Sequence, residues 1–262
     1  MISSTANGQI KNLIQLQKKS RARVEQGIFV IEGIKMFEES RDGGYLVKAY
    51  VSESFYEEKI AKSPDYFNGI SYEIVSEHVL NEAAETKTPQ GIMATVTMPT
   101  YTLEQMIKKD NANLVLLEDI RDPGNLGTIV RTAEGAGITG IILSKTSVDM
   151  YNPKVIRSTM GAIYRMPFVY VEDFIETLQV LKENELTIYA AHLKGSMYYD
   201  EVEYEDKCAI MIGNEANGLS DDSSSLASKY IKIPMCGQVE SLNAAVASAI
   251  LMYEIYRQRR MK

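Results

Sequence analysis

The chain has 262 residues, of which 45% are hydrophobic and 24% charged, and its formal net charge is −7. This composition is typical of a globular protein with a buried core, and it excludes disordered, collagen-like and coiled-coil chains. The length favours two domains. Two cysteines and two histidines are too few for a disulfide framework or a Cys/His zinc site. Because the sequence has neither a secretory signal nor a long apolar run, we expect a cytoplasmic protein without a membrane or metal partner.

The first hundred residues alternate between helix and strand patterns. Apolar residues at Ile10, Leu13 and Ile14 predict a first helix, and a buried strand is predicted at GIFVIEG. Further strands are predicted at YLVKAYVSE and GIMATVTMP, and helices at IKMFEES and SEHVLNEAAE. We therefore expect a small α/β domain at residues 1–98, followed by a polar linker at residues 99–113.

Positive charge is concentrated at the two ends of this acidic chain. The first 24 residues contain five basic side chains and no acidic one, and the last twelve contain four basic side chains and one acidic. The basic residues are Lys11, Lys18, Lys19, Arg21 and Arg23 at one end, and Arg257, Arg259, Arg260 and Lys262 at the other. Two interpretations remain open at this point: solvated surface helices, or a local patch that binds phosphates.

A repeating strand-and-helix pattern runs from residue 114 to 262. Apolar strands are predicted at LVLLEDI, GIILS, PFVYVE, LTIYAAHL, CAIMIGN and YIKIPM. Strands that are rich in Ile, Leu and Val and alternate with helices indicate a mostly parallel sheet covered on both faces. A last helix carries an apolar stripe, which we expect to pack on the sheet or on a partner subunit. The stripe consists of Leu242, Ala245, Val246, Ala249, Ile250, Tyr253 and Tyr256.

One motif suggests a nucleotide-binding fold that its context excludes. Gly135, Gly137 and Gly140 match the G-x-G-x-x-G fingerprint of dinucleotide-binding domains. That fingerprint requires a strand before it and a helix after it, so that the helix N-terminus faces the pyrophosphate. Here a helical pattern precedes the glycines and a strand pattern follows them. We therefore expect them to end a helix and begin a strand.

Polar residues follow three of the predicted strands. Asn125 and Arg131 come after LVLLEDI, Glu215 comes after CAIMIGN, and Ser241 and Asn243 come after YIKIPM. Helix capping alone explains any one of these loops. Because open α/β sheets bind ligands at the carboxyl ends of their strands, three such loops together predict a functional site.

These residues carry a resemblance to a known family. The sequence resembles the three ordered motifs of the SpoU (TrmH) family at Asn125-x-Gly127-x-x-x-Arg131, Gly213-x-Glu215-x-x-Gly218-Leu219, and Ile233-Pro234-Met235 with Ser241-Leu242-Asn243. The family consists of RNA ribose 2′-O-methyltransferases of the SPOUT class that use S-adenosylmethionine. The N-terminal domain is similar to the accessory RNA-binding domain of many rRNA-modifying members, whose fold resembles that of small ribosomal proteins.

The resemblance implies a fold and a set of roles. It implies an α/β domain with a deep trefoil knot, a homodimer, and an RNA substrate, with rRNA favoured over tRNA because of the N-terminal domain. The cofactor-binding residues would be Gly213, Ile233, Met235 and Leu242, and Arg131 would be the catalytic arginine. Asn125, Glu215, Ser241 and Asn243 would surround the reacting hydroxyl. Two alternatives remain open: a non-catalytic protein that binds RNA or assists ribosome assembly, and a small-molecule enzyme on another α/β fold.

Overall fold

The computed structural model describes residues 1–261, which form eleven α-helices and eleven β-strands. The helices are α1 (Gly8–Lys18), α2 (Ser20–Gln26), α3 (Ile34–Asp42), α4 (Glu53–Lys62), α5 (Glu77–Ala83), α6 (Leu103–Ile107), α7 (Pro123–Gly135), α8 (Pro153–Thr159), α9 (Phe174–Glu183), α10 (Asp221–Ser225) and α11 (Ala244–Met261). The strands are β1 (Ile28–Glu32), β2 (Leu46–Ser52), β3 (Tyr72–Val75), β4 (Ile92–Thr97), β5 (Asn113–Leu117), β6 (Gly140–Ser144), β7 (Phe168–Val171), β8 (Thr187–Ala191), β9 (Met197–Tyr198), β10 (Cys208–Ile212) and β11 (Lys229–Lys232). No helix in this part of the chain is long and apolar enough to cross a membrane.

The first of two compact units consists of residues 1–99 and 151–164. Its sheet has the order β1-β4-β2-β3, in which β4 is antiparallel to β1 and β2 while β2 and β3 are parallel. The helices and strands predicted here are confirmed, but α2, α4 and β3 were not predicted. The sequences of α4 and β3 lack a clear apolar pattern, because α4 buries only Phe55 and β3 only Val75.

Residues 151–164 pack within the first unit, although they follow two strands of the second unit in sequence. Tyr164 is buried, and its ring stacks on that of Tyr45 with the ring centres 5.2 Å apart. The ring of Tyr151 lies 4.7 Å from that of Phe29. These aromatic contacts explain why the segment departs from the expected C-terminal domain, and no periodicity in the sequence indicates them.

The second unit contains residues 100–150 and 165–261. Its sheet has seven strands in the order β7-β6-β5-β10-β8-β11-β9, and every neighbouring pair is parallel. Every residue of β5 and β10 is buried, as expected for central strands covered on both faces. The six predicted strands and the parallel α/β architecture are confirmed. The trefoil knot stays a prediction.

The segment expected to be a linker, residues 99–113, contains α6. Its residues Met106 and Ile107 are buried in the apolar core of the second unit, together with Leu114 of β5 and Leu178 of α9. The polar sequence that suggested a linker is the exposed turn at the end of this short helix. Most of the segment is therefore an integral part of the second unit.

The three glycines of the nucleotide-binding fingerprint lie where a helix ends and a strand begins, as expected. Helix α7 ends at Gly135, and Gly137 adopts a φ of 70°, which favours glycine. Strand β6 begins at Gly140, where an added Cβ would lie 2.7 Å from the sulfur of Met106. These glycines therefore serve chain reversal and close packing.

Helix α11 buries a different face from the predicted one. The buried residues are Ala244, Ala245, Ser248, Leu251, Met252, Glu254 and Ile255. Small residues among them let α11 pack closely on α7 and β10. Val246, Tyr253 and Tyr256 of the predicted stripe are instead 48%, 49% and 40% exposed. Among the seven residues of the stripe only Ala245 is buried, so packing of the whole stripe on the sheet was a wrong prediction, and packing of its exposed part on a partner subunit stays a prediction.

Candidate active site

The candidate site lies at the carboxyl ends of the parallel strands in the second unit. Strand β5 pairs with β6 on one side and with β10 on the other. The chain after β5 therefore first adds a strand on one side of β5 and later adds a strand on the opposite side. Such a reversal of strand order opens a crevice between the loops that follow the two strands. All the residues predicted for the site lie after β5, β10 and β11: Asn125 and Arg131 are in helix α7, and the others are in the loops after β10 and β11.

Two carboxylates, one from the segment after β5 and one from the loop after β10, connect these two parts of the chain by hydrogen bonds. Glu118, directly after β5, accepts hydrogen bonds from the backbone N–H and the hydroxyl of Ser220 at 2.9 and 2.7 Å. It also accepts one from the hydroxyl of Ser223 at 2.6 Å. In return, Glu215 in the loop after β10 accepts from the backbone N–H groups of Arg121 and Asp122, both at 3.2 Å. Each of the two segments therefore supplies a carboxylate that accepts hydrogen bonds from the other segment.

A chain of side-chain hydrogen bonds joins all three motifs. The Nδ2 of Asn125 donates to Glu215 at 2.9 Å, and the Nδ2 of Asn243 donates to Oδ1 of Asn125 at 2.9 Å. The Oδ1 of Asn243 accepts from the backbone N–H groups of Ala245 and Val246, at 2.9 and 3.3 Å, and so caps α11. A carboxylate only accepts and a backbone N–H only donates, so both amide orientations are fixed by their partners. These hydrogen bonds connect three side chains, those of Asn125, Glu215 and Asn243, which we call the polar unit.

Glu215 is the charged member of this polar unit. Partial burial raises the pKa of its carboxyl, whereas hydrogen bonds from Asn125 and from nearby backbone N–H groups lower it. The net pKa lies below the ordinary value of a glutamate, so the group is a carboxylate at neutral pH. A carboxylate that already accepts several hydrogen bonds is a weak base. In this structure Glu215 holds the side chain of Asn125 through a hydrogen bond, and its part in catalysis stays a prediction.

Asp119 and Asn214 complete the connection between these loops and were not predicted. Asp119 has a φ of 55°, an uncommon conformation for a residue other than glycine. The Nδ2 of Asn214 donates to the carbonyl oxygen of Asp119 at 2.8 Å. The backbone N–H of Asp119 donates to the hydroxyl of Ser144, also at 2.8 Å. Its carboxylate pairs with Arg121 at 2.8 Å. The available signal was the position of Glu118 and Asp119 directly after a buried strand.

Arg131 lies outside the polar unit. It follows Asn125 by six residues on α7, which places the two side chains about 120° apart around the helix axis. Its side chain is exposed and, within residues 1–261, makes no hydrogen bond or ion pair. Ser241 is likewise exposed, in the loop before α11. The structure therefore joins three of the five predicted catalytic residues and leaves the other two free to meet a substrate.

The loop between β11 and α11 contains most of the expected cofactor contacts. Within the described chain, residues 234–242 make no hydrogen bond between backbone groups. The side chains of Ile233, Met235 and Leu242 are half-buried there. Free backbone groups beside apolar side chains suit a cofactor with a flat adenine and a polar amino-acid end, so these residues fit S-adenosylmethionine. Residues 1–261 contain no group of three or more acidic, histidine or cysteine side chains placed to hold a metal ion.

Gly213, the fourth expected cofactor residue, is buried at the end of β10. A Cβ at this position would lie 2.1 Å from the carbonyl carbon of Gly218 and 2.2 Å from the backbone nitrogen of Leu219. Both atoms belong to the same tight loop and cannot move independently. Replacing Gly213 by valine would therefore disrupt the loop itself, so this substitution does not isolate cofactor binding.

Two family models match the chain. Residues 112–253 match the SpoU rRNA Methylase family, and residues 7–94 match the MRM3-like substrate binding domain. The first match covers more than half of the chain. The protein belongs to the SpoU rRNA methylase family.

Individual relatives of this SpoU protein match over nearly its whole length. The 23S rRNA (guanosine(2553)-2′-O)-methyltransferase RlmP of Bacillus subtilis is 31% identical over 97% of this chain and 98% of its own. Among solved structures, an RNA 2′-O ribose methyltransferase is 32% identical with a TM-score of 0.83, covering 99% of both chains. An rRNA methyltransferase from Sinorhizobium meliloti, solved with AdoMet bound, is 28% identical with a TM-score of 0.84, covering 98% of this chain and 97% of its own.

The family predicted from the three motifs is therefore confirmed. RNA methyl transfer that depends on S-adenosylmethionine is confirmed with it. The catalytic and cofactor-binding roles of individual residues stay predictions.

Proposed function

We propose that this protein transfers a methyl group from S-adenosylmethionine to the 2′-hydroxyl of a ribose in large-subunit rRNA. The observation that carries the proposal is the hydrogen-bonded chain of Glu215, Asn125 and Asn243, which unites the three motif loops at one sheet edge. The name of the Bacillus subtilis relative supports both the 2′-oxygen and the rRNA substrate. The rRNA substrate named for this bacterial relative supports a cytoplasmic location for the reaction.

The cofactor would bind between the loops after β10 and β11. Backbone groups near Gly213 and residues 234–242 would hold its polar atoms, and Ile233, Met235 and Leu242 would enclose its adenine. When bound, S-adenosylmethionine supplies an electrophilic methyl group on a positively charged sulfur. The protein's task is then to place the ribose oxygen in line with that methyl, and correct placement provides a large part of catalysis.

The polar residues would orient and activate the ribose hydroxyl. Asn125 and Asn243 each use one amide N–H within the polar unit, which leaves each with a second N–H for the substrate. Ser241 adds an exposed hydroxyl. Because a guanidinium stays protonated, we assign Arg131 the stabilisation of the negative charge that develops on the ribose oxygen as its proton passes to solvent water. The same guanidinium would also form an ion pair with a nearby phosphate of the substrate.

The substrate is identified by mapping 2′-O-methyl positions in RNA from a strain that lacks the gene. We expect one position in large-subunit rRNA to lose its methyl group, and the search begins at the nucleotide equivalent to guanosine 2553. Loss of a tRNA position instead would replace rRNA by tRNA as the substrate. Unchanged methylation of every RNA would favour a non-catalytic role in RNA binding.

We further propose that the first domain, residues 1–98, binds the substrate RNA through its basic end. Lys18, Lys19 and Arg21 are exposed at the junction of α1 and α2. Arg23, which the sequence grouped with them, is buried, and its Nη1 donates to the carbonyl of Leu16 at 2.6 Å. Arg23 therefore stabilises the end of α1, and RNA-binding tests should leave it unchanged.

Replacing Lys18, Lys19 and Arg21 by alanine should weaken RNA binding without affecting the melting temperature. Each lost phosphate contact should flatten the slope of log affinity against log salt by roughly 0.7 to 0.9. Affinity is measured by fluorescence anisotropy at several salt concentrations.

The matched control removes three exposed lysines from the second unit, Lys108, Lys109 and Lys182. It changes the net charge equally and should leave the slope as in the wild type. An unchanged slope in the N-terminal variant would exclude this patch from RNA binding.

We also propose a homodimer that buries the exposed stripe of α11. The rings of Tyr253 and Tyr256 lie 6.0 Å apart on this face, and nothing else in residues 1–261 covers them fully.

Placing glutamates at both positions should convert a dimer into a monomer, as measured by sedimentation velocity, because like charges would face each other across a two-fold axis. A glutamate at Val47, which is 42% exposed in the first unit, is the control. A monomeric wild type at micromolar concentration would refute the proposal.

A further inference from the structure

Two exposed tyrosines meet a half-buried histidine and a half-buried lysine at one edge of the parallel sheet. His192 directly follows β8, Tyr230 and Lys232 belong to β11, and Tyr198 ends β9. We call these four residues the edge patch. Tyr198 is 41% exposed and Tyr230 37% exposed, which is unusual for such large rings in a chain whose core strands are wholly buried.

The strand register places the whole edge patch on one face of the sheet. Lys232 lies opposite Tyr198, and Tyr230 lies opposite Ala190. His192 is two residues beyond Ala190 in the same direction, so it projects from the same face as Tyr230. The ring centres of His192 and Tyr230 are 5.3 Å apart, and the Lys232 ammonium lies 5.1 Å from the ring centre of Tyr198.

The other face of this edge has a conventional structural role. Ile231 is completely buried there, and Lys229 lies over the ring of Tyr189, which is also buried. The edge patch therefore differs from its surroundings in combining partly exposed aromatic rings with a partly exposed positive charge. Those two properties together are complementary to nucleic acid, because bases stack on aromatic rings while phosphates pair with ammonium groups.

The edge patch lies at the same end of the sheet as the candidate active site. Strands β8 and β11 are parallel to β10, so His192 and Lys232 lie at the same carboxyl-end edge as Gly213. The loop that carries Ile233 to Asn243 starts at the residue after Lys232. A nucleic acid strand whose ribose reaches Asn243 would thus have neighbouring nucleotides within reach of the patch.

We propose that the edge patch binds single-stranded nucleotides that flank the target ribose, with bases stacked on Tyr198 and Tyr230 and a phosphate paired with Lys232. This inference rests on the proposed RNA substrate and adds where the strand lies. A single strand is required, because bases in a duplex already stack on each other and cannot present their faces to these rings.

The test uses the full-length protein, a fluorescein-labelled single-stranded RNA of ten uridines, and a duplex RNA of equal length. Replacing Tyr198 and Tyr230 together by alanine should weaken single-strand binding by roughly tenfold or more, with little change for the duplex. Lys232→Gln should flatten the salt dependence of single-strand binding by about 0.7 in slope. S-adenosylmethionine affinity by calorimetry and the melting temperature should stay as in the wild type.

The matched control is the pair Tyr198→Phe and Tyr230→Phe, which keeps both rings and should bind the single strand normally. Unchanged binding in the alanine pair would overturn the proposal. A loss of cofactor affinity instead would assign the patch to the cofactor, and a change in sedimentation would assign it to a second copy of the chain. If ring-dependent binding holds but the wild type methylates no RNA, the proposed function fails and the edge patch stands.

Discussion

Replacing Arg131 by alanine should reduce single-turnover methyl transfer at least about 100-fold, which corresponds to about 2.7 kcal/mol of transition-state stabilisation. The position of Arg131 allows a loss of turnover to be distinguished from a loss of folding stability. The side chain is exposed and makes no hydrogen bond or ion pair within residues 1–261, so stability should change by about 0.5 kcal/mol at most. Cofactor affinity should also stay unchanged, because the expected cofactor contacts lie in other loops. Turnover, cofactor affinity by calorimetry and melting temperature are measured on the same preparation.

Two further variants make the Arg131 result specific. Arg131→Lys keeps the charge but loses the planar fork of donors, and we expect it to lose most activity as well. Lys182→Ala removes an exposed positive charge from α9 and should behave as the wild type. Near-normal turnover in Arg131→Ala, with unchanged melting, would remove Arg131 from the mechanism.

Replacing Glu215 by glutamine should lower turnover by up to about 100-fold while leaving the fold intact. One carboxylate oxygen becomes an NH₂ group, which would face the N–H donors of Arg121, Asp122 or Asn125. Asn125 would then lose its fixed orientation. Because the site is partly exposed, the stability loss should be about 1 kcal/mol. Turnover and melting temperature are measured together, with Glu183→Gln at the exposed end of α9 as control.

The stability difference between wild type and Glu215→Gln should depend on pH. The pKa of Glu215 is lower in the folded protein than in the unfolded chain, so its stabilising contribution is fully present above the unfolded pKa. It is lost as the pH falls through the folded pKa. Melting curves should therefore differ most at neutral pH and converge in acid. A difference that does not change with pH would show that the charge of Glu215 does not anchor the loops.

The sequence predicts the site well where a motif coincides with a strand end. Asn125 and Glu215 follow the strongly apolar strands β5 and β10, Asn243 follows the mixed strand β11, and parallel strands bring their carboxyl ends together. Strand existence and direction were therefore enough to predict that these residues meet. The hydrogen bonds that connect them could not be predicted, because they depend on side-chain positions across loops that are 90 to 118 residues apart.

The errors arise where burial depends on distant partners. The apolar periodicity of α11 fits two faces, and the face that begins with Ala244 and Ala245 and continues to Leu251 and Ile255 is the one packed on α7 and β10. Arg23 looks like a surface charge in the sequence, yet the carbonyl groups at the end of α1 hold it inside. Residues 151–164 join the first unit through aromatic contacts that no local pattern reveals. In each case tertiary packing determines the outcome.

The most direct test of the central claim is the chemical position of the transferred methyl group. Purified protein is incubated with rRNA that lacks the modification and with S-adenosylmethionine labelled in its methyl group, and the RNA is digested to nucleosides for mass spectrometry. We predict that the label appears in a single 2′-O-methylated nucleoside with wild-type protein and is nearly absent with Arg131→Ala. Label on a base, or no labelled nucleoside with the wild type, would contradict the assignment of this protein as a ribose 2′-O-methyltransferase.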